Sequence, residues 1–283
     1  MPKIRHAVRH TPVAPTYARH MPHGAEIDAH RHDDHQIVYA GRGVVAVTTD
    51  AGSWVAPGTR ALWVPADTVH AHQAHGDVEL HFVGLPATTN PLGLAAPAVL
   101  AVGPLLRELI VEYTRGAREG GAEGERLEAE ASEGEASEAE ASEGEASEGE
   151  GPEGESPERA RLRAVLLDQL KLSPQQPLHL PTPTTPVLRA VCDLLHADPA
   201  DRRTLAELGR EVGASDRTLS RLFRADLGMT FPQWRTQLRL HRALILLSEG
   251  TPVTTVANLC GWSSTSAFID VFRRAFGHTP GSH

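Results

Sequence analysis

Short apolar runs separated by turn residues fill the first third of the chain. The runs lie at residues 37–39, 44–48, 53–55, 61–64 and 80–83, and glycine or proline follows most of them, as at Gly41, Gly52, Pro57, Pro65 and Gly76. Many short strands with closely spaced turns are typical of a small β-barrel or sandwich. The pattern therefore predicts a β-rich domain over residues 20–90.

Helical spacing of apolar residues replaces this pattern in a connector at residues 91–182, where it appears at 104–113 and 159–171. Between these helices, residues 131–150 read ASEGE-ASEAE-ASEGE-ASEGE, four copies of a five-residue unit. That period fits neither helix nor strand, and the unit has almost no large apolar side chain, so we expect a disordered acidic spacer over about residues 119–158. A proline-rich linker, QQPLHLPTPTTP at residues 175–186, follows the second helix.

The remaining residues, 183–283, have helical spacing and contain one arrangement twice. Thr204 can cap a helix with inward-facing Leu205 and Leu208, Gly213 can end it, and Ser215 can cap the next helix. A helix, a glycine turn and a second helix recur around Gly261. The sequence thus predicts two helix-turn-helix units, near residues 204–225 and 253–276.

The helix expected between the two units could set their spacing on DNA. Residues 231–249 would form a rod of about 28 Å. Successive major-groove faces on one side of a duplex lie about 34 Å apart. Twelve arginines and no lysine lie between Arg189 and Arg274, and arginine makes the bidentate contacts to guanine and phosphate that a groove reader uses.

Charge is distributed very unevenly along this chain of 283 residues. The net charge is −9, yet residues 119–158 alone contain 16 glutamates and one arginine. The remaining 20 acidic and 26 basic residues give +6, so the parts expected to fold are mildly basic. The acidic total therefore does not argue against DNA binding.

The residues from TLAELGREVGAS to FRRAFGHTPG, 204–281, strongly resemble the DNA-binding domain of AraC/XylS-type transcription regulators. The ending at 272–281 is the most specific part of the match. The resemblance implies base-facing residues on both second helices and phosphate contacts from three arginines. The base-facing set is Arg217, Ser220, Arg221, Thr265, Ser266, Ile269 and Asp270, and the phosphate set is Arg239, Arg273 and Arg274.

Two positions depart from the family pattern. Gly209 stands where alanine is usual, and a helical glycine costs about 1 kcal/mol of helix stability. Asp270 stands where a basic or neutral residue is usual, and its carboxylate would repel phosphate, although it could accept a hydrogen bond from cytosine. We therefore expect the first unit to contribute more to base reading than the second.

A histidine cluster near the start of the β-rich region resembles the metal-binding motifs of cupin barrels. His30 and His32 would share one strand face, Gln36 stands where a glutamate is common, and His70 belongs to the second motif. Three imidazoles and one oxygen donor suit Zn, Ni, Co, Mn or Fe(II); alternatively, the same groups line a polar pocket for an organic effector. We expect His35, His72 and His75 to lie on the surface or outside the ligand set.

These patterns define a two-domain α+β protein: a cupin-like β-barrel, flanking helices with a disordered acidic loop, and an all-α double helix-turn-helix domain. The favoured function is a DNA-binding transcription regulator that senses a small molecule or metal. One alternative is a metal-dependent cupin enzyme (a dioxygenase or isomerase) with a helical appendage. The other is a structural nucleoid protein. The enzyme is disfavoured because it would not need two groove-spaced units, and no paired carboxylate or nucleophile accompanies the histidines.

A regulator of this kind would have several partners. We expect a double-stranded DNA operator, a small-molecule or metal effector, a second copy of the chain and, for an activator, RNA polymerase. No apolar run approaches the length of about 18 residues needed to cross a membrane, and the N-terminus lacks the apolar core of a signal peptide. Cys192 and Cys260 fit reduced thiols, so we expect a cytoplasmic protein.

Overall fold

The computed structural model describes residues 8–118, 155–176 and 179–281. Its strands are β1 (Arg9–Thr11), β2 (Tyr17–Met21), β3 (Glu26–His32), β4 (His35–Thr49), β5 (Gly52–Pro57), β6 (Arg60–Val64), β7 (His70–Leu85), β8 (Ala98–Ala101), β9 (Gln175–Gln176) and β10 (His179–Pro181). Its helices are α1 (Pro104–Arg118), α2 (Pro157–Leu172), α3 (Pro186–Ala197), α4 (Leu205–Val212), α5 (Asp216–Leu227), α6 (Phe231–Ser248), α7 (Val253–Leu259) and α8 (Thr265–Phe276).

Two long antiparallel strands, β4 and β7, form the centre of the N-terminal sheet. They pair from His35 opposite Leu85 to Thr49 opposite His70, with register shifts around Arg42. From this pair the sheet continues through β3 to β1 on one side and through β6 and β8 to β9 on the other, while β2 pairs with β7 and β5 with β4. We call residues 8–101, with these strands, the β-domain.

Alternation of side chains along the central strands separates two apolar cores. Val38 and Phe82, which are cross-strand partners, belong to a core on the inner face, whereas Ile37 and Val83 belong to a core on the outer face. The outer core is completed by α1 and α2, through residues such as Ile110. Since successive residues of a strand point to opposite faces, each polar side chain of β4 or β7 is assigned to one core by its position.

The first helix-turn-helix unit has the predicted caps, and the second has the predicted glycine turn. Thr204 and Glu207 form a reciprocal capping box at the start of α4, Gly213 ends this helix at φ 72°, and Ser215 accepts from the backbone of Thr218 at the start of α5. In the second unit, Gly261 lies in the turn at φ 73° and Ser264 caps α8. The expected arrangement of helix, glycine turn and helix is confirmed in both units.

The β-domain and the second helix-turn-helix unit share one continuous core. Leu244 of α6, Val256 of α7 and Phe272 of α8 cluster with inner-core residues of the β-domain such as Val45. The first unit has a separate core, in which α3 packs against α4, α5 and the start of α6. The β-domain therefore packs directly against the second helix-turn-helix unit, whereas the first unit packs against α3.

The observed architecture agrees with the predicted fold class, and its boundaries add detail. Strands β1 and β8 lie outside the predicted limits of 20–90, and β2 begins before them. Part of the proline-rich linker pairs with the sheet as β10, where Leu180 is buried. Most of the acidic segment, residues 119–154, lies outside the described residues. No helix within the described ranges is both long and apolar enough to span a membrane.

Gly209 is required by the geometry of the first turn and is not merely a weak helix former. A β-carbon at this position would lie 2.3 Å from the carbonyl oxygen of Ala214 and 3.3 Å from Leu219. The backbone of Ala214 also donates a hydrogen bond to the Gly209 carbonyl at 2.8 Å. The glycine therefore allows the turn to pack closely on α4.

We predict that Gly209→Ala destabilises the protein by up to about 2 kcal/mol, since overpacking costs about 1–3 kcal/mol and the helix gains about 1 kcal/mol from alanine. Thermal unfolding of the full chain measures the change. Gly103→Ala is the control, because a β-carbon there meets nothing within 4 Å. A higher midpoint for Gly209→Ala than for wild type would show that the turn yields without strain.

Candidate metal centre and nucleic-acid interface

Three of the four predicted ligands converge at one end of the β-domain. His30 and His32 come from β3 and His70 from the first position of β7, and one ring nitrogen of each lies within 4.8 Å of the other two. The ring centroids are 4.3 Å apart for His30 and His70, and 5.0 Å apart for His32 and His70. His30 and His70 are also direct neighbours in the β3–β7 pairing.

Backbone carbonyls orient all three imidazoles in the same way. Nδ1–H of His30 donates to the carbonyl of Asp28 at 2.8 Å, that of His32 to Asp34 at 2.8 Å, and that of His70 to Thr68 at 2.7 Å. A carbonyl can only accept, so Nδ1 carries the proton and Nε2 carries the lone pair. Metal-binding histidines typically donate their second nitrogen in this manner, which fixes the tautomer and the ring orientation.

Burial keeps the imidazole of His70 in the form that binds metal. His32 and His70 are 1% and 0% exposed, and the Nε2 atom of each has no hydrogen-bond partner among the described residues. Burial, together with the positive charge that His30 and His32 carry when protonated, lowers the pKa of His70 to about 3. His70 is therefore neutral at physiological pH, with a lone pair directed into the protein.

The fourth predicted ligand, Gln36, faces the same core. It lies two residues before Val38 on β4, so the two side chains share the inner face. Gln36 is 1% exposed, and its Oε1 has no hydrogen-bond partner among the described residues. A buried amide oxygen without a donor costs free energy, so Gln36 remains a candidate ligand on this face.

The turn before β7 ties the two histidine-bearing segments together. The backbone N–H of Asp67 donates to the carbonyl of His32 at 2.8 Å, and the Asp67 carboxylate pairs with Arg31 at 3.1 Å. Asp67 has a φ of 60°, which is uncommon for a residue other than glycine. This turn therefore places His70 beside the end of β3.

The flanking histidines, expected on the surface or outside the ligand set, do not belong to the converging group, and all three are at least half-buried. His35 is buried on the outer face, where it stacks on Trp63 at 4.7 Å and accepts from the backbone of Ala66. His72 is 2% exposed and lies beside the three ligands on the inner face, while His75 is half-buried near α6. The spacing His70-x-His72 repeats that of His30-x-His32, a signal that would have placed His72 correctly.

The predicted base-facing residues of the first unit lie together on an open face of α5. Arg217 and Arg221 are exposed and Ser220 is half-buried, and all three line a shallow concave surface with Arg224. Arg224 was not among the predicted contacts, although its spacing of seven from Arg217 and three from Arg221 indicates the same face. The three arginines form a positive stripe along this helix.

The matching face of α8 is also accessible. Ser266 and Asp270 are exposed, and Thr265 and Ile269 are half-buried. Asp270 pairs with Arg273 at 3.3 Å, on the solvent side of the helix. This pair partly neutralises the carboxylate that the sequence marked as unfavourable, but an exposed pair contributes only about 0–1 kcal/mol and can open.

The three arginines assigned to phosphate have different environments. Arg273 and Arg274 are exposed in the last turn of α8. Arg239 instead donates to the carbonyls of Pro199 and Asp201, each at 3.0 Å, and its guanidinium lies 5.9 Å from the ring centroid of Trp262. These contacts stand against the predicted phosphate role, because they hold the side chain against the loop before α4.

Two helix-turn-helix units joined by a rigid helix, behind a sheet domain with a polar centre, define a DNA-binding regulator with a ligand-binding domain. Residues 12–131 match the family model of the AraC-like ligand-binding domain, and residues 208–283 match that of a helix-turn-helix domain. The HTH-type transcriptional regulator NimR of Escherichia coli (strain K12) is 30% identical over 257 residues, covering 90% of this chain and 81% of that protein. The chain belongs to the AraC family of transcription regulators.

Two further similarities concern a smaller part of the chain. The HTH-type transcriptional regulator RipA of Corynebacterium glutamicum is 39% identical over 104 residues, covering 36% of this chain and 31% of RipA. The solved DNA-binding domain of AdpA, in complex with a target DNA, is 28% identical, with a TM-score of 0.33; the match covers 35% of this chain and 89% of that chain.

Alanine substitutions of Arg217 and Arg239 should have different effects: the first should weaken DNA binding, and the second should lower stability. We predict that Arg217→Ala weakens operator binding by about 1–3 kcal/mol and leaves the unfolding midpoint unchanged, since its side chain is exposed. Arg239→Ala should lower stability by about 1–3 kcal/mol, because two partly buried carbonyls lose a charged donor. Fluorescence anisotropy with an operator fragment and thermal unfolding measure the two quantities. Equal stability of Arg239→Ala and wild type would restore the phosphate assignment.

Proposed function

We propose that the β-domain is a sensor of a divalent transition metal and that its occupancy controls how this regulator presents its DNA-binding domain. The observation that carries the proposal is the common orientation of His30, His32 and His70, each of which donates Nδ1–H to a backbone carbonyl. Nε2 of His32 and of His70 has no hydrogen-bond partner among the described residues. A set that served only as structural polar residues would have no reason to converge on one point. Gln36 is the fourth ligand in this proposal.

The donor set limits the metal. Imidazole nitrogen suits Zn, Ni, Co and Fe(II), and an amide oxygen adds a harder donor that Mn(II) also accepts. When bound, the ion would crosslink β3, β4 and β7, which supply the four side chains. The alternative remains an organic effector held by the same histidines through hydrogen bonds, without metal.

A short strand links this centre to the second DNA-reading unit. Gln36 of β4 pairs with Val64 of β6, and β6 begins four residues earlier at Arg60, about 13 Å along the strand. All residues of β6 are buried, so the strand moves as a unit with the core. A shift at Gln36 would therefore reach Arg60.

Arg60 contacts the end of the second recognition helix. Its guanidinium donates to the carbonyl of Ala275 at 3.3 Å, in the last turn of α8, and lies 6.0 Å from the ring centroid of Phe276. The C-terminal end of a helix carries partial negative charge, which the guanidinium complements. The β-domain thus caps a helix that faces DNA, and we propose that metal occupancy changes this contact.

The remaining partner assignments are also proposals. A homodimer through α1 and α2 is supported by their exposed apolar side chains, since Leu105 is 55%, Val165 46% and Leu172 75% exposed. A contact with RNA polymerase would follow if the regulator activates transcription. A cytoplasmic location accords with the two buried, free cysteines.

Elemental analysis of untagged protein tests the metal directly. We predict near one equivalent of a divalent transition metal in wild type and less than about a tenth of that in His32→Ala, because losing one ligand typically removes most affinity. His35→Gln is the matched control: it alters a buried histidine on the opposite face, and the amide can still accept from Ala66. If all three proteins lack metal even after incubation with Zn, Ni, Co, Mn and Fe(II), the sensor holds an organic effector instead.

Arg60→Glu tests the coupling. A carboxylate beside the carbonyl of Ala275 is repelled, so the contact with α8 should open. We predict that wild type binds its operator with affinities that differ about 5–150-fold between metal-loaded and metal-free protein, and that Arg60→Glu reduces the ratio to about twofold or less. Arg42→Glu, at an exposed position of the same domain, should behave as wild type. If Arg60→Glu leaves this ratio of operator affinities unchanged, coupling through β6 and Arg60 is excluded.

A further inference from the structure

His72 is not one of the proposed ligands, and its environment is unusual. The side chain is 2% exposed, and neither ring nitrogen has a hydrogen-bond partner among the described residues. Its ring centroid lies 5.1 Å from that of His70 and 5.6 Å from that of His30, and the ring edge packs on Phe82. A fully buried imidazole that makes no hydrogen bond is unfavourable.

The structure gives His72 a position beside the ligands but outside them. Its nitrogens do not belong to the group of atoms that converge within 4.8 Å. Alternation along β7 directs it to the same inner face as His70. A neutral imidazole carries one N–H donor, and the His72 ring lies against the rings of His70 and His30.

The charge around the site is not balanced. All four proposed ligands are neutral, since Gln36 takes the place of a carboxylate. Within the described residues, the converging group consists of histidines and contains no Asp or Glu. A divalent ion held here would therefore bring two positive charges into a buried site whose proposed ligands carry no negative charge, which is strongly unfavourable.

We propose that the effector of this regulator includes a small anion, of carboxylate or similar chemistry, that binds beside the metal and accepts a hydrogen bond from His72. The anion would supply the negative charge that the ligand set lacks, and His72 would supply a donor that the chain itself leaves unused. This inference rests on the proposed metal site, which it deepens by naming the class of the second ligand. Metal and anion would then bind with positive cooperativity.

The test uses full-length protein loaded with Co(II), whose visible spectrum reports changes in its coordination. Acetate and acetamide are the two probes, because they have nearly the same shape and only acetate is charged. We expect acetate to change the spectrum in a saturable manner and acetamide to leave it unchanged. We also expect Co(II) to bind at least about tenfold more tightly in the presence of saturating acetate.

Two substitutions locate the effect. His72→Phe should weaken acetate binding about tenfold or more, the range for losing a hydrogen bond to a charged group, while changing Co(II) affinity by less than about threefold. His72→Gln, which keeps an N–H donor, should stay within about threefold of wild type for acetate and serves if the phenylalanine variant does not fold. Gln36→Glu, which supplies an internal negative charge, should bind Co(II) more tightly and lose most of its affinity for acetate. His35→Gln is the control.

The outcomes separate this inference from the proposed function. If wild type binds no Co(II), both the metal site and the anion site are overturned. If Co(II) binds but acetate and acetamide act alike, the metal site stands and the anion is excluded. If acetate binds equally well to wild type and His72→Phe, the anion stands without His72 as its donor, which overturns the role proposed for that residue.

Discussion

The pairing of β4 with β7 is the constraint on which the rest of the molecule depends. Because alternate residues point to opposite faces, this one register decides that Gln36 and His72 face the inner core, while His35 faces α1 and α2. If β4 were shifted by one residue relative to β7, the inner-face and outer-face side chains would exchange faces. This shift would bury the outer-face residues against the second DNA-reading unit and turn the histidines toward the helices. The ligand site and the domain interface therefore depend on the same hydrogen-bonded ladder.

The sensor and the reader are joined more closely than two domains on a flexible linker. Within the described residues, the linker pairs with β5 as β10, His179 stacks on Trp54, and the inner core extends into α6, α7 and α8. Gly76, in a tight bend of β7, approaches Ser248 so closely that a β-carbon would lie 2.5 Å from its carbonyl oxygen. Such packing has few intermediate positions, so an effector would shift the balance between discrete arrangements. It can do so only by its difference in affinity for them.

Capping residues and glycine turns made the helical domain predictable from sequence. Features that depend on contacts distant in sequence were not predicted. The capping residues Thr204 and Ser215 and the glycine turns act within a few residues of the chain, so the sequence alone places both units. The role of Arg239 depends on carbonyls about 40 positions earlier, and nothing near it in sequence indicates this. His72 is a different case: its spacing from His70 carried the information, but the motif resemblance drew attention to His70 alone. The strand at β10 arises because Leu180 finds a tertiary partner, which overrides the proline-rich composition.

Arginine content is a weak measure of DNA contact in this protein because several guanidiniums bind the chain itself. Arg189, Arg235 and Arg239 donate to backbone carbonyls in segments that precede helices, and Arg60 donates to a carbonyl in the last turn of α8. Guanidinium suits this use because it keeps its charge and offers several donors in fixed directions. The positive charge that remains available is concentrated on the open faces of α5 and α8. The first unit has the clearer stripe, and the second is the one that contacts the β-domain. This arrangement would place base reading and effector response mainly on different units.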